Sequence, residues 1–320
     1  MARPRLMPDS NIWRYIVESD ATELVRLEAR RQSVDIVACP AIVFEAMRGR
    51  NEELRDRLVE TMTRGSWLRL MPEAYKEAEQ VRQEVSRLHP EWLNSRPERS
   101  LWYQLKADWE SGWWRRARND TRNEAKRIIE LDGNQITQAR AESIGLRQHA
   151  LELGTKFEKL SMEVKINFIQ PIAGWDGEPF DAWRLGGLRR WFNALSHPDS
   201  TDGQWLSPWV ASDSIQRRDD RWISMWTREV EANRLPLEWL RWAFEHVQAT
   251  RAGNDGTPVD NQIATYLPEC DIFITADKVF ADCVEKVRPH APIPLGRGVR
   301  VPGGHEAVEA LIETISDIGT

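Results

Sequence analysis

The stretch Asp260–Phe280, "DNQIATYLPECDIFITADKVF", decides the fold. It opens on a carboxylate and carries apolar residues at helical spacing as far as Leu267. After a turn at Pro268 it enters "DIFITA", Asp271–Ala276, an apolar run of the buried-strand type. Asp277 follows at once, and "DKVFADCVEKV", Asp277–Val287, reads as a helix. The other end of the chain repeats this order. In "RPRLMPDSNIW" a short apolar strand, Arg3–Pro8, ends at Asp9, and Ile12, Tyr15, Ile16, Leu24 and Leu27 then fall at helical spacing from Asn11 to about Arg30.

Between these ends the same alternation continues. "VDIVACP", Val34–Pro40, is a second strand, followed by a helix or helix pair from Ala41 to Met62. "SWLRLMP", Ser66–Pro72, is a third strand, followed by a helix over Glu73–Leu88. Late in the chain come a helix in Leu235–Val247, a loop in Arg251–Pro258, a short helix from Val259, a last short strand within Ala291–Val301 and a helix from His305. Strands alternating with helices mean βαβ units and a parallel sheet, hence an α/β fold.

The rhythm changes between residues 89 and 234, where no strand pattern is visible and fourteen of the sixteen tryptophans lie between Trp92 and Trp242. We therefore expect residues 1–88 and 235–320 to form one α/β domain, interrupted by a mostly α-helical, Trp-rich insertion at 89–234. Within it, Trp113–Leu131 fits one amphipathic helix, with Arg115, Arg118, Arg122 and Lys126 within about 80° of one another. That stripe is either a solvated helix face or a set of phosphate contacts. Most of the tryptophans are expected in the core; exposed ones could stack unpaired bases.

The chain has 320 residues, 41% hydrophobic and 29% charged, which is ordinary globular material. A net charge of −6 exerts no global pull on polyanions, so nucleic-acid contact would need local basic patches or bound cations. No apolar run is long enough for a secretory signal or a membrane span. Cys39, Cys270 and Cys283 show neither CxxC spacing nor an even count, which argues against a disulfide framework or zinc site and for a cytoplasmic setting. The six histidines form no ligand motif.

The acids at strand ends carry the chemistry. Asp9 and Asp277 directly follow strands, Glu45 lies on the helix after the second strand, and Asp260 begins the helix before "DIFITA". In a parallel sheet all carboxyl ends of the strands face one edge, where ligands bind. Four carboxylates gathered there need cations, and oxygen-only ligands suit Mg²⁺ or Mn²⁺. Such ions activate water against phosphodiesters. The competing interpretation makes Asp9, Asp260 and Asp277 helix N-caps and Glu45 a solvated helix residue.

These segments resemble the PIN-domain nuclease family. "LMPDSNIWRYIVE" is similar to its first motif, "VACPAIVFEAMRG" to its second, and "VDNQIATYLPECDIFITADKVF" to its third and fourth, with seventeen residues from Asp260 to Asp277. The resemblance covers about 1–88 and 250–300. It implies a three-layer α/β/α domain with strand order 3-2-1-4-5. It also implies an acidic quartet, Asp9, Glu45, Asp260 and Asp277, which is catalytic and holds Mg²⁺ or Mn²⁺, with Asn11 and Thr275 supporting it. RNA is the implied substrate ahead of DNA, and family habit adds a toxin or defence role. The long interruption before the third motif departs from the small toxin-type members, and it could serve a homodimer or a protein partner. Rivals are a DNA-directed nuclease of the flap type and a PIN-like module that binds RNA or protein without cleaving. A haloacid-dehalogenase-type phosphatase would need Asp where Asn11 stands, and a Rossmann enzyme would need GxGxxG after the first strand.

Overall fold

A computed structural model describes residues 2–132, 173–178, 180–211, 215, 220–249 and 257–319. Five strands form one all-parallel sheet: β1 (Arg5–Pro8), β2 (Asp35–Ala38), β3 (Leu68–Arg69), β4 (Ile272–Thr275) and β5 (Arg297–Arg300), in the order β3-β2-β1-β4-β5. The two halves of the chain thus share one sheet, joined where Leu6, Met7 and Pro8 of β1 pair with Ile272, Phe273 and Ile274 of β4. The central strands are apolar along their length because both faces are covered. Leu6, Met7, Phe273 and Ile274 are fully buried, whereas the edge strand β5 reads "RGVR" and is half exposed.

The helices complete a three-layer α/β/α arrangement. The N-terminal part contributes α1 (Ser10–Glu18), α2 (Thr22–Arg31), α3 (Pro40–Met47), α4 (Glu52–Met62) and α5 (Glu73–Leu88). The Trp-rich region contributes α6 (Ser100–Ala107), α7 (Trp113–Asn119), α8 (Thr121–Asp132), α9 (Ala182–Ser196), α10 (Thr201–Leu206) and α11 (Asp220–Ser224). The C-terminal part adds α12 (Pro236–Ala249), α13 (Thr257–Ala264), α14 (Lys278–Val287) and α15 (His305–Gly319). The C-terminal α15 packs on α1 and α2 and so ties the end of the chain to its beginning. Among the described residues, none of these helices is long and apolar enough to cross a membrane. The loop expected in Arg251–Pro258 lies largely outside the described residues.

Three expectations need correction. The helix expected from Asn11 to about Arg30 is two, α1 and α2, because Asp20 adopts a left-handed conformation (φ 53°) that Asp tolerates better than most residues. The single helix expected over Trp113–Leu131 breaks at Asp120 (φ −144°, ψ 49°). The Asp120 side chain accepts two hydrogen bonds from Asn123 Nδ2, at 2.9 and 3.0 Å, and its carbonyl accepts from the Glu124 N–H at 3.1 Å to open α8. Arg115 and Arg118 therefore belong to α7, Arg122 and Lys126 to α8, and no common helical face joins them. Finally, Asp260 does not begin its helix: α13 starts at Thr257, with Pro258 in its first turn, where its missing N–H costs nothing.

The tryptophans are core. All are buried except Trp109, Trp209 and Trp242, which are partly buried against the core. The same hydrophobic cluster runs from β1 and β4 through Trp102, Trp114, Trp191 and Trp226, so the Trp-rich helices share the core of the α/β part. No tryptophan stands out as a platform for bases. The arginines of "RLGGLRR" are partly consumed inside as well. Arg184 donates to the Thr227 carbonyl, and Arg190 enters a buried ion network.

Candidate functional site

The carboxyl ends of β1, β2, β3 and β4 all open on one edge of the sheet, since all pairings are parallel. Asp9 leaves β1 at this edge, with its backbone N–H donating to the Ile274 carbonyl across the sheet (2.9 Å). Its side chain caps α1: Oδ1 accepts from the Ser10 N–H at 2.7 Å. Oδ2 accepts from Asn11 Nδ2 at 2.7 Å and from the Thr275 hydroxyl at 2.6 Å. Thr275 is wholly buried, and its Oγ1 in turn accepts from Asn11 Nδ2 (3.2 Å) and from the Asp277 N–H (2.9 Å). Asn11 Oδ1 accepts from the Ala276 N–H at 2.9 Å. Asn11 and Thr275 therefore lock the end of β1 to the end of β4 and hold Asp9 in one orientation.

Asp277 follows β4 and caps α14, accepting from the Val279 and Phe280 N–H groups at 2.6 and 3.2 Å through Oδ1. Both end-of-strand acids are thus N-caps and also neighbours, so the two interpretations of the sequence are not exclusive. Glu45 projects from α3, which starts directly after β2 with Pro40 at its first position. Asp260 comes from the first turn of α13, which packs against α3.

The four acids feel one another. Burial, then the charges of Asp9, Glu45 and Asp277, push the Asp260 carboxyl up to about 8. Burial, then the Asp9 charge, push Glu45 up to about 7. Asp9 is raised chiefly by burial, against the lowering effect of its hydrogen bonds from Thr275, Ser10 and Asn11. The charge of Arg48, three residues on from Glu45, acts the other way and lowers the Glu45 carboxyl. Among the described residues, three or more carboxylate, thiol or imidazole groups do not gather as a ready-made ion cage. Coupling without a cage is consistent, because charge repulsion reaches further than a coordination bond. The acids face a common space without being drawn to ligand distance of one centre. As donors they fit a hard cation: all are oxygens, and a bound cation relieves their mutual repulsion.

Arg115, Arg118, Arg122 and Lys126 are all exposed. Arg115 lies near Asp108, and Lys126 forms a long, open contact with Glu130 (3.8 Å). α7 and α8 nonetheless border the site. α8 packs on α3, and Phe44, next to Glu45, meets Trp113 at 5.1 Å between ring centres. Sequence reasoning missed Arg69, which ends β3 at the same edge. Its position at a strand end is the very signal that singled out the acids. Cys39, Cys270 and Cys283 are buried and unbridged.

No known protein family matches the chain, and no curated protein or solved structure does so either.

Proposed function

We propose that this protein is a metal-dependent nuclease of PIN-like type, an endoribonuclease in preference to a DNA-directed enzyme. The observation that carries the proposal is the charge coupling of Asp9, Glu45, Asp260 and Asp277 at the carboxyl edge of a parallel sheet. Groups pushed up to about 7 and 8 in the ion-free protein are poised to ionise when a cation arrives. Mg²⁺ or Mn²⁺ held there would supply a polarised water and charge relief at a phosphodiester. Asp9, oriented by Thr275 and Asn11, and Asp277 are the fixed ligands; Glu45 and Asp260 close in from α3 and α13. The exposed Arg115, Arg118, Arg122 and Lys126, on helices that border the site, supply positive charge for the rest of the strand.

The test is incubation of purified protein with labelled RNA and DNA in Mn²⁺, Mg²⁺ or EDTA. We expect RNA cleavage that EDTA abolishes, leaving 5′-phosphate and 3′-hydroxyl ends. Asp277→Asn should lower the rate by at least about a hundredfold. Full metal-dependent activity in that variant would overturn the assignment. The open spacing of the acids favours one alternative, a module that binds nucleic acid without cutting it; binding with no cleavage under any ion would establish that instead.

A further inference from the structure

Arg69 and Arg118 are like charges brought together with no acid between them. Arg69 ends β3. Its Nη2 donates to the Thr63 carbonyl at 2.6 Å, and its guanidinium lies 5.5 Å from the centre of the buried Trp114 ring. These two contacts fix the plane of the group. Arg118 stands one helical turn beyond Trp114 on α7, hence on the same face of that helix. Burial first, then the charge of Arg118, makes the proton on Arg69 easier to lose. Nε of Arg69 is sealed from solvent without an acceptor.

Among the described residues neither arginine forms an ion pair. The neighbouring Arg116 of α7, by contrast, is matched with Asp108. Two guanidinium groups held close, one of them locked in plane, repel unless an anion lies between them. Phosphate suits the position best, since the guanidinium fork matches its oxygens and two cations offset its charge.

We propose that Arg69 and Arg118 form a seat for one backbone phosphate of a nucleic-acid strand lying along the carboxyl edge of the sheet. The proposal rests on the nucleic-acid reading above, and it adds a residue from β3 and a defined subsite. β3 lies two strand spacings from β1, about 10 Å, so the seated phosphate is a neighbour of the one at the acids. α7 acts as the spacer between the two places. Trp113 rests on Phe44 beside Glu45, and the adjacent Trp114 lies under Arg69.

The test is binding of a short fluorescein-labelled single-stranded RNA, and of DNA of the same sequence, followed by anisotropy across a salt series in EDTA. Arg118→Gln should weaken binding several-fold and reduce the slope of log affinity against log salt by about 0.7, the value for one phosphate on a single strand. Arg69→Gln added to it should reduce the slope no further, because the two share one phosphate. Arg69→Gln alone should likewise weaken binding, Arg69→Lys, which keeps the charge, should weaken it less, and Arg118→Gln should leave Tm unchanged or higher. Both nucleic acids should respond alike. An unchanged slope in Arg118→Gln, a loss of about 1.4 in the double variant, or a loss confined to RNA would overturn the shared phosphate seat. Cleavage by the wild type separates the two proposals. Cleavage with an insensitive slope leaves the nuclease and removes the seat; a sensitive slope without cleavage under any ion does the reverse.

Discussion

At the residue scale, Thr275 shows how one hydroxyl can organise a charged site. It donates to Asp9 Oδ2 and accepts from Asn11 and from the Asp277 N–H, all while wholly buried. Thr275→Val keeps the shape and removes all three bonds. It should cost about 1–3 kcal/mol in chemical denaturation, because buried donors lose their acceptor. It should also raise the Asp9 carboxyl further, which an acid-side shift in the pH–rate profile toward higher pH would record. Asp260 tests the electrostatics without such complications. Its carboxyl, ordinarily near 3.8, stands at about 8, and Glu45, ordinarily near 4.5, stands at about 7. Between about pH 4 and pH 8 the ion-free folded protein therefore holds protons that the unfolded chain has released. Its stability falls as pH rises through that window and levels off above it. Asp260→Asn should flatten this fall. We expect it to stabilise the ion-free protein by about 1–3 kcal/mol at pH 8 and to change little at pH 4, as read from Tm across pH.

At the element scale, the break at Asp120 decides how the basic residues are presented. A continuous helix would have put Arg115, Arg118, Arg122 and Lys126 in one stripe. The break instead turns α8 onto α3 and α4 and leaves Arg118 beside Arg69. Asp120 is held by Asn123, and Thr121 bonds back to the Ala117 carbonyl at 2.8 Å, so the joint is built rather than frayed. Asp120→Ala removes the bonds from Asn123 and should cost about 0.5–1 kcal/mol in denaturant unfolding. Faster amide exchange at residues 121–124 would locate the loss at the start of α8. A variant as stable and as protected as the wild type would show that these bonds are unimportant.

For the whole molecule, the decisive feature is a buried ion network between the helices. Glu77 of α5, fully buried, accepts from Arg190 of α9 at 2.6 Å and from Arg241 of α12 at 2.8 Å. Arg190 also bonds Asp202 of α10 and Glu238 of α12, at 2.7 and 2.9 Å. The Trp-rich helices are thereby fastened to the α/β part through charge as well as through a continuous core. Glu77→Ala takes the ion-pair partner from the buried Arg241 and one of three carboxylates from Arg190, and should cost about 3–5 kcal/mol. Because one network spans both parts, tryptophan fluorescence and far-UV circular dichroism should shift together in denaturant. Separate transitions would show that the Trp-rich region folds on its own.

Sequence alone determined what is local in this protein. Strand identities follow from short apolar runs and helix identities from the 3.6-residue period, and α5 and α14 lie where their patterns place them. The positions of Asp9 and Asp277 follow from the rule that acids after parallel strands share one edge. The strand order was legible through the resemblance of four short motifs, since no local pattern reports which strands pair. Tertiary structure decided the rest. The splits at Asp20 and Asp120 depend on a single residue's backbone conformation, which an apolar period does not register. The meeting of Arg69 with Arg118 and the joining of Glu77 with Arg190 and Arg241 bring together residues far apart in the chain. Charge pairing of that kind has no period; it exists only once packing has chosen which faces meet.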